Sequence, residues 1–254
     1  MIATERRNLI LQEAYKNKSV LVQELAEQFQ VSDETIRRDL EKLEEEGFLK
    51  KGYGGAVLNE DIGMELPFNL RSKINPEGKS RIAELVVDHL ENGDHIFLDA
   101  SSTTVFISRA IKRRPPKRLT VITNSIENAV ALADTPGVEV IVVGGILSSD
   151  SMALMGVKAL ETIASYHLDK AFISCSGLDL ERGVSDGSDE IVSVKQAVMD
   201  VSDFVCLAVD SDKFGRVSFS HLCPISDINM IITEKRPSDD WIELLEAMDI
   251  KVLH

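Results

Sequence analysis

Apolar residues recur at helical spacing through the first fifty positions and in short extended runs after position 76, so the chain changes texture once. Leu9, Ile10, Ala14 and Tyr15 form the apolar side of a helix predicted over 5–17. Val20, Leu21, Leu25, Ala26 and Phe29 predict a second helix over 19–30. Ser32 is a good N-cap for a third, which runs to 46 and stops at Gly47. Its apolar stripe is Ile36, Leu40 and Leu43, at i, i+4 and i+7. Two short apolar pieces set among glycines then predict a β-hairpin, or wing, that ends near Leu58.

Residues 59–75, with Gly63 and Pro67 and bounded by Pro76, read as a linker. Beyond it, strand-like runs at 96–99, 119–123, 138–143, 170–174, 204–209, 228–232 and 250–253 alternate with helical stretches. Those helices are expected near 77–91, 103–112, 125–133, 156–165, 188–200 and 238–247. Alternation of this kind predicts a Rossmann-like α/β domain over 76–254, its mostly parallel sheet covered on both faces.

Composition narrows the function. With 44% hydrophobic residues the 254-residue chain can bury a real core, which argues against disorder. No run approaches the roughly 18 apolar residues of a membrane span, and no signal-type apolar region follows the first charges. A cytoplasmic protein with no membrane partner is expected. Cys175, Cys206 and Cys223 are far apart and read as buried, reduced thiols. The histidines lack metal-ligand spacing and no G-x-G-x-x-G occurs, so neither a metal nor a dinucleotide cofactor is expected.

The net charge of −14 argues against a nucleic-acid partner only if it is spread evenly. It is not: residues 1–57 carry 9 basic and 11 acidic groups, which leaves −12 of the total for the rest. Three helices and a wing describe a winged helix-turn-helix, whose third helix enters the major groove of double-stranded DNA. If Ile36, Leu40 and Leu43 face the core, Arg38 points outward, flanked by Thr35, Arg37 and Lys42. Arg37 and Arg38 can reach a guanine edge or a phosphate, and Thr35 a base edge or phosphate. Lys50, Lys51 and Tyr53 of the wing can hold the backbone. Solvated arginines on a structural bundle would give the same spacing.

Three places in the α/β part carry chemistry. Asp99 ends a strand, and Ser101, Ser102, Thr103 and Thr104 open a helix, an arrangement suited to an anion. Ser102 or Thr103 could equally be a plain helix cap. Asn124 and Ser125, and later Gly144 and Gly145, follow strands directly, where ligands of open α/β sheets gather. Asn124 could bind a sugar hydroxyl or cap the next helix, and the glycines could form only a turn. Asp186, Asp189, Glu190 and Lys195, with Asp210 and Lys213 later, could bind a hydroxylated ligand or remain solvated.

Thr35-Ile-Arg-Arg-Asp-Leu40 and the Gly54-Gly-Ala56 of the wing resemble the signature of the DeoR family of transcriptional regulators. The resemblance implies operator contact by Ser32, Thr35, Arg37 and Arg38. The C-terminal part is similar to that family's sensor domain, itself like ribose-phosphate isomerases. It implies a phosphorylated sugar as effector, with the Asp99 loop in the place of a phosphate loop and Lys79 and Lys213 at basic positions. Ala100-Ser101 departs from the more usual glycine. Residues 1–58 would bind DNA and 76–254 would sense the effector and oligomerise, as a homodimer or homotetramer. The rival is a sugar-phosphate isomerase-like enzyme with an appended helical domain. Against it, Ser174-Cys-Ser-Gly-Leu-Asp179 lacks the paired acids of the isomerases.

Overall fold

A computed structural model describes residues 2–59 and 66–254. The chain forms two compact units, Met1–Ile74 and Asn75–His254. The first contains α1 (Ala3–Asn17), β1 (Ser19–Leu21), α2 (Val22–Phe29), α3 (Asp33–Glu45), β2 (Leu49–Gly52), β3 (Gly55–Leu58) and α4 (Phe68–Arg71). Ile10, Leu11, Ala14, Leu25, Ile36, Leu40 and Leu43 make its core. Leu11 thus takes the place expected of Leu9, which is only half-buried.

Ser32 caps α3 as expected, its Oγ accepting from the Thr35 amide at 3.3 Å. The start of the second helix is corrected. Lys18 turns left-handed at φ +66°, and residues 19–21 pair antiparallel with β3 as a third strand. That pairing needs Gly55, where a Cβ would stand 2.0 Å from the Val20 carbonyl oxygen. The linker is corrected in part. Phe68 and Leu70 of α4 are buried, Leu70 in this core, while Gly63 lies outside the described residues.

The second unit runs α5 (Pro76–Val87), β4 (His95–Leu98), α6 (Ser102–Arg113), β5 (Leu119–Thr123), α7 (Ile126–Leu132) and β6 (Val138–Val142). It continues with β7 (Ile146–Ser148), β8 (Ala153–Met155), α8 (Val157–Ile163), β9 (Lys170–Ile173), β10 (Gly177–Asp179), β11 (Gly183–Asp186) and α9 (Asp189–Asp200). It ends with β12 (Val205–Ala208), β13 (Ser220–Cys223), β14 (Met230–Ile232), α10 (Asp239–Ala247) and β15 (Lys251–Leu253).

Seven strands form the expected parallel sheet, in the order β15-β14-β12-β9-β4-β5-β6. Successive strand residues serve opposite cores. Phe97 and Ile173 enter one, Ile96, Leu98 and Phe172 the other. The small antiparallel sheet β10-β11-β13 and the β7–β8 hairpin were not legible as strands. They are three or four residues long, and β11 is the polar string Gly-Val-Ser-Asp, yet wholly buried.

The chain starts the large sheet at β4, builds outward to β6, then returns to the other side of β4 at β9. Such a reversal opens a crevice at the carboxyl ends of the two central strands. The residues that follow β4 and β9 are Asp99 and Ser174.

Candidate functional site: an exposed helix face and a polar crevice

The first half of α3 presents the expected residues outward. The Arg37 and Arg38 side chains are 57% and 76% exposed, each beside an acid one turn earlier. Arg37 lies 3.9 Å from Asp33, and Arg38 lies 3.4 Å from Glu34. Such exposed pairs are worth about 0.3–0.5 kcal/mol, so a phosphate or base edge can displace them. Thr35 stands beside Ser32, their hydroxyl oxygens 2.9 Å apart. Lys42 is exposed and pairs with Glu45. Lys50 is exposed on β2 and Tyr53 is fully exposed at the wing turn. Lys51 is more engaged: its Nζ meets Glu41 at 2.8 Å, and its amide donates to Glu44. Glu41 and Glu44 therefore tie the wing to α3.

One residue of this motif was missed. Asp39, beside the two arginines, points inward and is 5% exposed. Its carboxylate accepts from Arg6 Nε at 2.5 Å, so a buried ion pair fixes α3 against α1. The signal was available, because position 39 shares the inner face with Ile36 and Leu43.

In the second unit, polar side chains converge on the crevice. Asp99 Oδ1 accepts from the Ser101 amide at 3.0 Å, and Oδ2 accepts from the Ser174 amide at 2.9 Å. The strand-end acid thus ties β4 to β9. Lys195 reaches in from α9, with Nζ 3.2 Å from Asp99 Oδ2 and 2.5 Å from Asp186 Oδ2. It also donates to the Ser174 carbonyl at 2.6 Å. Asp186 Oδ1 accepts from the Ser176 hydroxyl and the Gly187 amide. All three charged groups are buried.

Ser101, not Ser102 or Thr103, caps α6, its Oγ accepting from the Thr104 amide. Thr104 Oγ1 donates to the Asp99 carbonyl at 2.7 Å. Asn128, absent from the sequence reading, donates to the same carbonyl at 2.7 Å and accepts from Ser108. These bonds fix the loop and leave the Ser102 and Thr103 amides, at the positive end of a twelve-residue helix, for an anion. The cap of α7 is Ser125 rather than Asn124. Asn124 is buried instead, with Oδ1 unpartnered, and so is one carboxylate oxygen of Asp210 after β12. Lys79, on α5, is buried; Lys213 is half-buried in the turn after Asp210.

Glu234, also unforeseen, accepts from the Ser211 amide and hydroxyl and from Asn75 Nδ2. It thereby draws α5 toward the carboxyl ends of β12 and β14. Other expected residues are not brought into the cluster. Glu190 stands exposed on the first turn of α9, where Asp189 accepts from Ser220. Gly144 and Gly145 are exposed before β7. Gly145 has φ +128° and leaves no room for a Cβ, which would meet the Met155 carbonyl oxygen at 2.4 Å.

Cys206 and Cys223 are buried, and burial pushes both thiols up to about 12; Cys175 is raised likewise. They are inert as nucleophiles at neutral pH. Burial opposes ionisation of Asp186, but Lys195, Ser176 and Gly187 outweigh it and hold its carboxyl below 3.8. Glu234 is likewise depressed from 4.5, its burial outweighed chiefly by Ser211. A depressed folded-state value stabilises the fold above the unfolded value, and that stability is lost as pH falls through the folded one. The Tm of this unit is therefore expected to hold from neutrality to about pH 5 and to fall on further acidification. A Tm that rises below pH 4.5 would contradict the assignment.

Comparison with known proteins agrees with both units. Residues 6–61 match the DeoR-like helix-turn-helix domain, and residues 74–235 match the DeoR C-terminal sensor domain. The chain is 34% identical over 245 residues to the L-fucose operon activator of Haemophilus influenzae, covering 96% of this chain and 97% of the relative. It is 30% identical over 252 residues to the glycerol-3-phosphate regulon repressor of Escherichia coli K12, covering 99% of each. Among solved structures, ribose 5-phosphate isomerase A from Methanocaldococcus jannaschii superposes on 55% of each chain, with TM-score 0.41 and 16% identity. Among the described residues no helix is long and apolar enough to cross a membrane. With both domain types matched in order along one chain, the protein belongs to the DeoR family of DNA-binding transcriptional regulators.

Proposed function

We propose that this regulator is a cytoplasmic repressor of sugar-use genes, controlled by a phosphorylated sugar held in the crevice at the carboxyl ends of β4 and β9. The observation that carries this reading is the pairing of two features in one chain. A recognition helix exposes Arg37 and Arg38, and a buried polar crevice holds an anion-ready helix end beside unpartnered acceptors at Asn124 and Asp210. The Ser102 and Thr103 amides, supported by Lys79, would take the phosphate. The unpartnered oxygens, Asn124 Oδ1 and Asp210 Oδ1, accept only, so they would take sugar hydroxyls. Lys213 borders them, and Asp99 and Lys195 hold the walls.

Ser32, Thr35, Arg37 and Arg38 would contact the operator, and Lys42, Lys50, Lys51 and Tyr53 its backbone. Symmetric DNA calls for a symmetric assembly, a homodimer or homotetramer. Relatives carry both repressor and activator names. Transcription in vitro from a promoter bearing the selected operator reads the sign, and activation would reverse that part of the proposal.

A thermal-shift series over sugar phosphates tests the effector. A compound at 100 times its Kd adds about 2.7 kcal/mol of stability. Its phosphate-free sugar should add nothing. Equal shifts from both, or from neither, would count against the crevice. For DNA, Arg38→Ala should weaken operator binding by about 1–3 kcal/mol if the side chain reads a base. Unchanged affinity with an intact fold would remove Arg38 from the interface. Isomerase turnover of ribose 5-phosphate at about 1 per second or faster would favour an enzyme.

A further inference from the structure

The β7–β8 hairpin has three residues in each strand, and beyond their own pairing β8 makes only a single bridge, from Ala153 to Ser125, among the described residues. A ribbon so short is not stable alone. It is fastened to the loop after β5: the Leu154 amide donates to the Asn124 carbonyl at 2.7 Å, and the Ile126 amide to the Met152 carbonyl at 3.2 Å. Asn124 Nδ2 adds a longer bond to the Leu154 carbonyl at 3.4 Å. On its other side β8 packs against α9, the helix that carries Lys195. The hairpin therefore joins the Asn124 side of the crevice to the Lys195 side.

Its turn carries Ser151, which is 7% exposed. The Ser151 hydroxyl is enclosed and has no hydrogen-bond partner, and the same holds for Oδ1 of Asn124. The next residue, Met152, sits at φ +54°, a conformation that side chains other than glycine seldom adopt. An unsatisfied buried hydroxyl destabilises the closed arrangement, and alanine would avoid that cost. Local strain and unmet polar groups together are the mark of a site shaped for a ligand rather than for stability.

We propose that the β7–β8 hairpin is a lid on the effector crevice and that Ser151 is its ligand-contacting residue. The inference rests on the effector reading above and adds a residue and a motion to it. Asn124 Oδ1 only accepts, so the group it meets must donate, which selects a hydroxyl of the sugar rather than a phosphate oxygen. Ser151 Oγ then donates to that hydroxyl's oxygen. Both atoms are enclosed, so the ligand enters with the hairpin lifted, and the hairpin closes on it.

The test uses the full chain, as wild type and Ser151→Ala. The probes are glucose 6-phosphate, fructose 1-phosphate, ribose 5-phosphate, glycerol 3-phosphate and inorganic phosphate, read by thermal shift and then calorimetry. The expected result has two parts of opposite sign. Without ligand, Ser151→Ala melts at the wild-type temperature or above it. With the sugar phosphate that stabilises wild type, it binds roughly 3- to 10-fold more weakly. Binding of inorganic phosphate should be unchanged. Equal affinity of the two proteins for the sugar phosphate would overturn the lid role alone. A lower ligand-free Tm would make Ser151 structural and also overturn it. If no probe stabilises wild type, the effector reading fails and the Ser151 role fails with it.

Discussion

Asp39→Ala is expected to destabilise the N-terminal unit by about 3–5 kcal/mol, because it leaves the Arg6 guanidinium buried without its partner. That is a large share of the roughly 4–11 kcal/mol that a domain of this size has at about 0.05–0.15 kcal/mol per residue. The variant should lose its first unfolding transition in urea and bind operator DNA no better than random DNA, although Arg37 and Arg38 are untouched. Its α/β unit should unfold as in wild type. Replacing both partners, Arg6→Met with Asp39→Leu, should restore much of the loss, since a packed apolar pair removes the stranded charge. If Asp39→Ala unfolds like wild type, the pair is not what holds α3 to α1.

Lys195→Met has the corresponding effect in the other unit. Asp99 and Asp186 both meet the same ammonium, and each is 1% exposed. Without it two buried carboxylates share one space, at a cost of about 3–5 kcal/mol. Urea unfolding of the α/β unit should shift accordingly, and the response of DNA binding to a sugar phosphate should disappear. Adding Asp99→Asn and Asp186→Asn should recover stability without recovering the response. Recovery of both would mean that the charges at this crevice do not serve the ligand.

Most of the architecture was legible because its signals are local. Ile36, Leu40 and Leu43 announce α3 by spacing, and the inner parallel strands β4, β9, β12 and β14 are nearly continuous apolar runs, as strands buried on both faces must be. The failures share a cause: a tertiary partner overrode the local pattern. Val20 fits a helical face, but β3 offered an open edge, and residues 19–21 took it. Strand β11 is polar and yet buried, because Ser185 and Asp186 find partners in Gly177, Ser176 and Lys195. At the crevice, Asp99 and Asp210 were legible as candidates because charge at a strand end stands out, and Lys195, on α9, because it stood in a charged set with Asp186 and Asp189. Asn128 and Ser151 were not, since a buried amide or hydroxyl looks like any surface one until its neighbours are known. Glu190 failed the other way, a charged residue near the site that faces solvent.

The central claim is that a phosphorylated sugar in the α/β crevice changes DNA affinity at α3. Its most direct measurement is fluorescence anisotropy with a duplex selected by the protein from random DNA, titrated in the presence of individual sugar phosphates. One of them should change the Kd by about 5- to 150-fold, equivalent to 1–3 kcal/mol of coupling, while its phosphate-free sugar has no effect. A sugar phosphate that binds the chain and leaves the Kd for DNA unchanged would contradict the account.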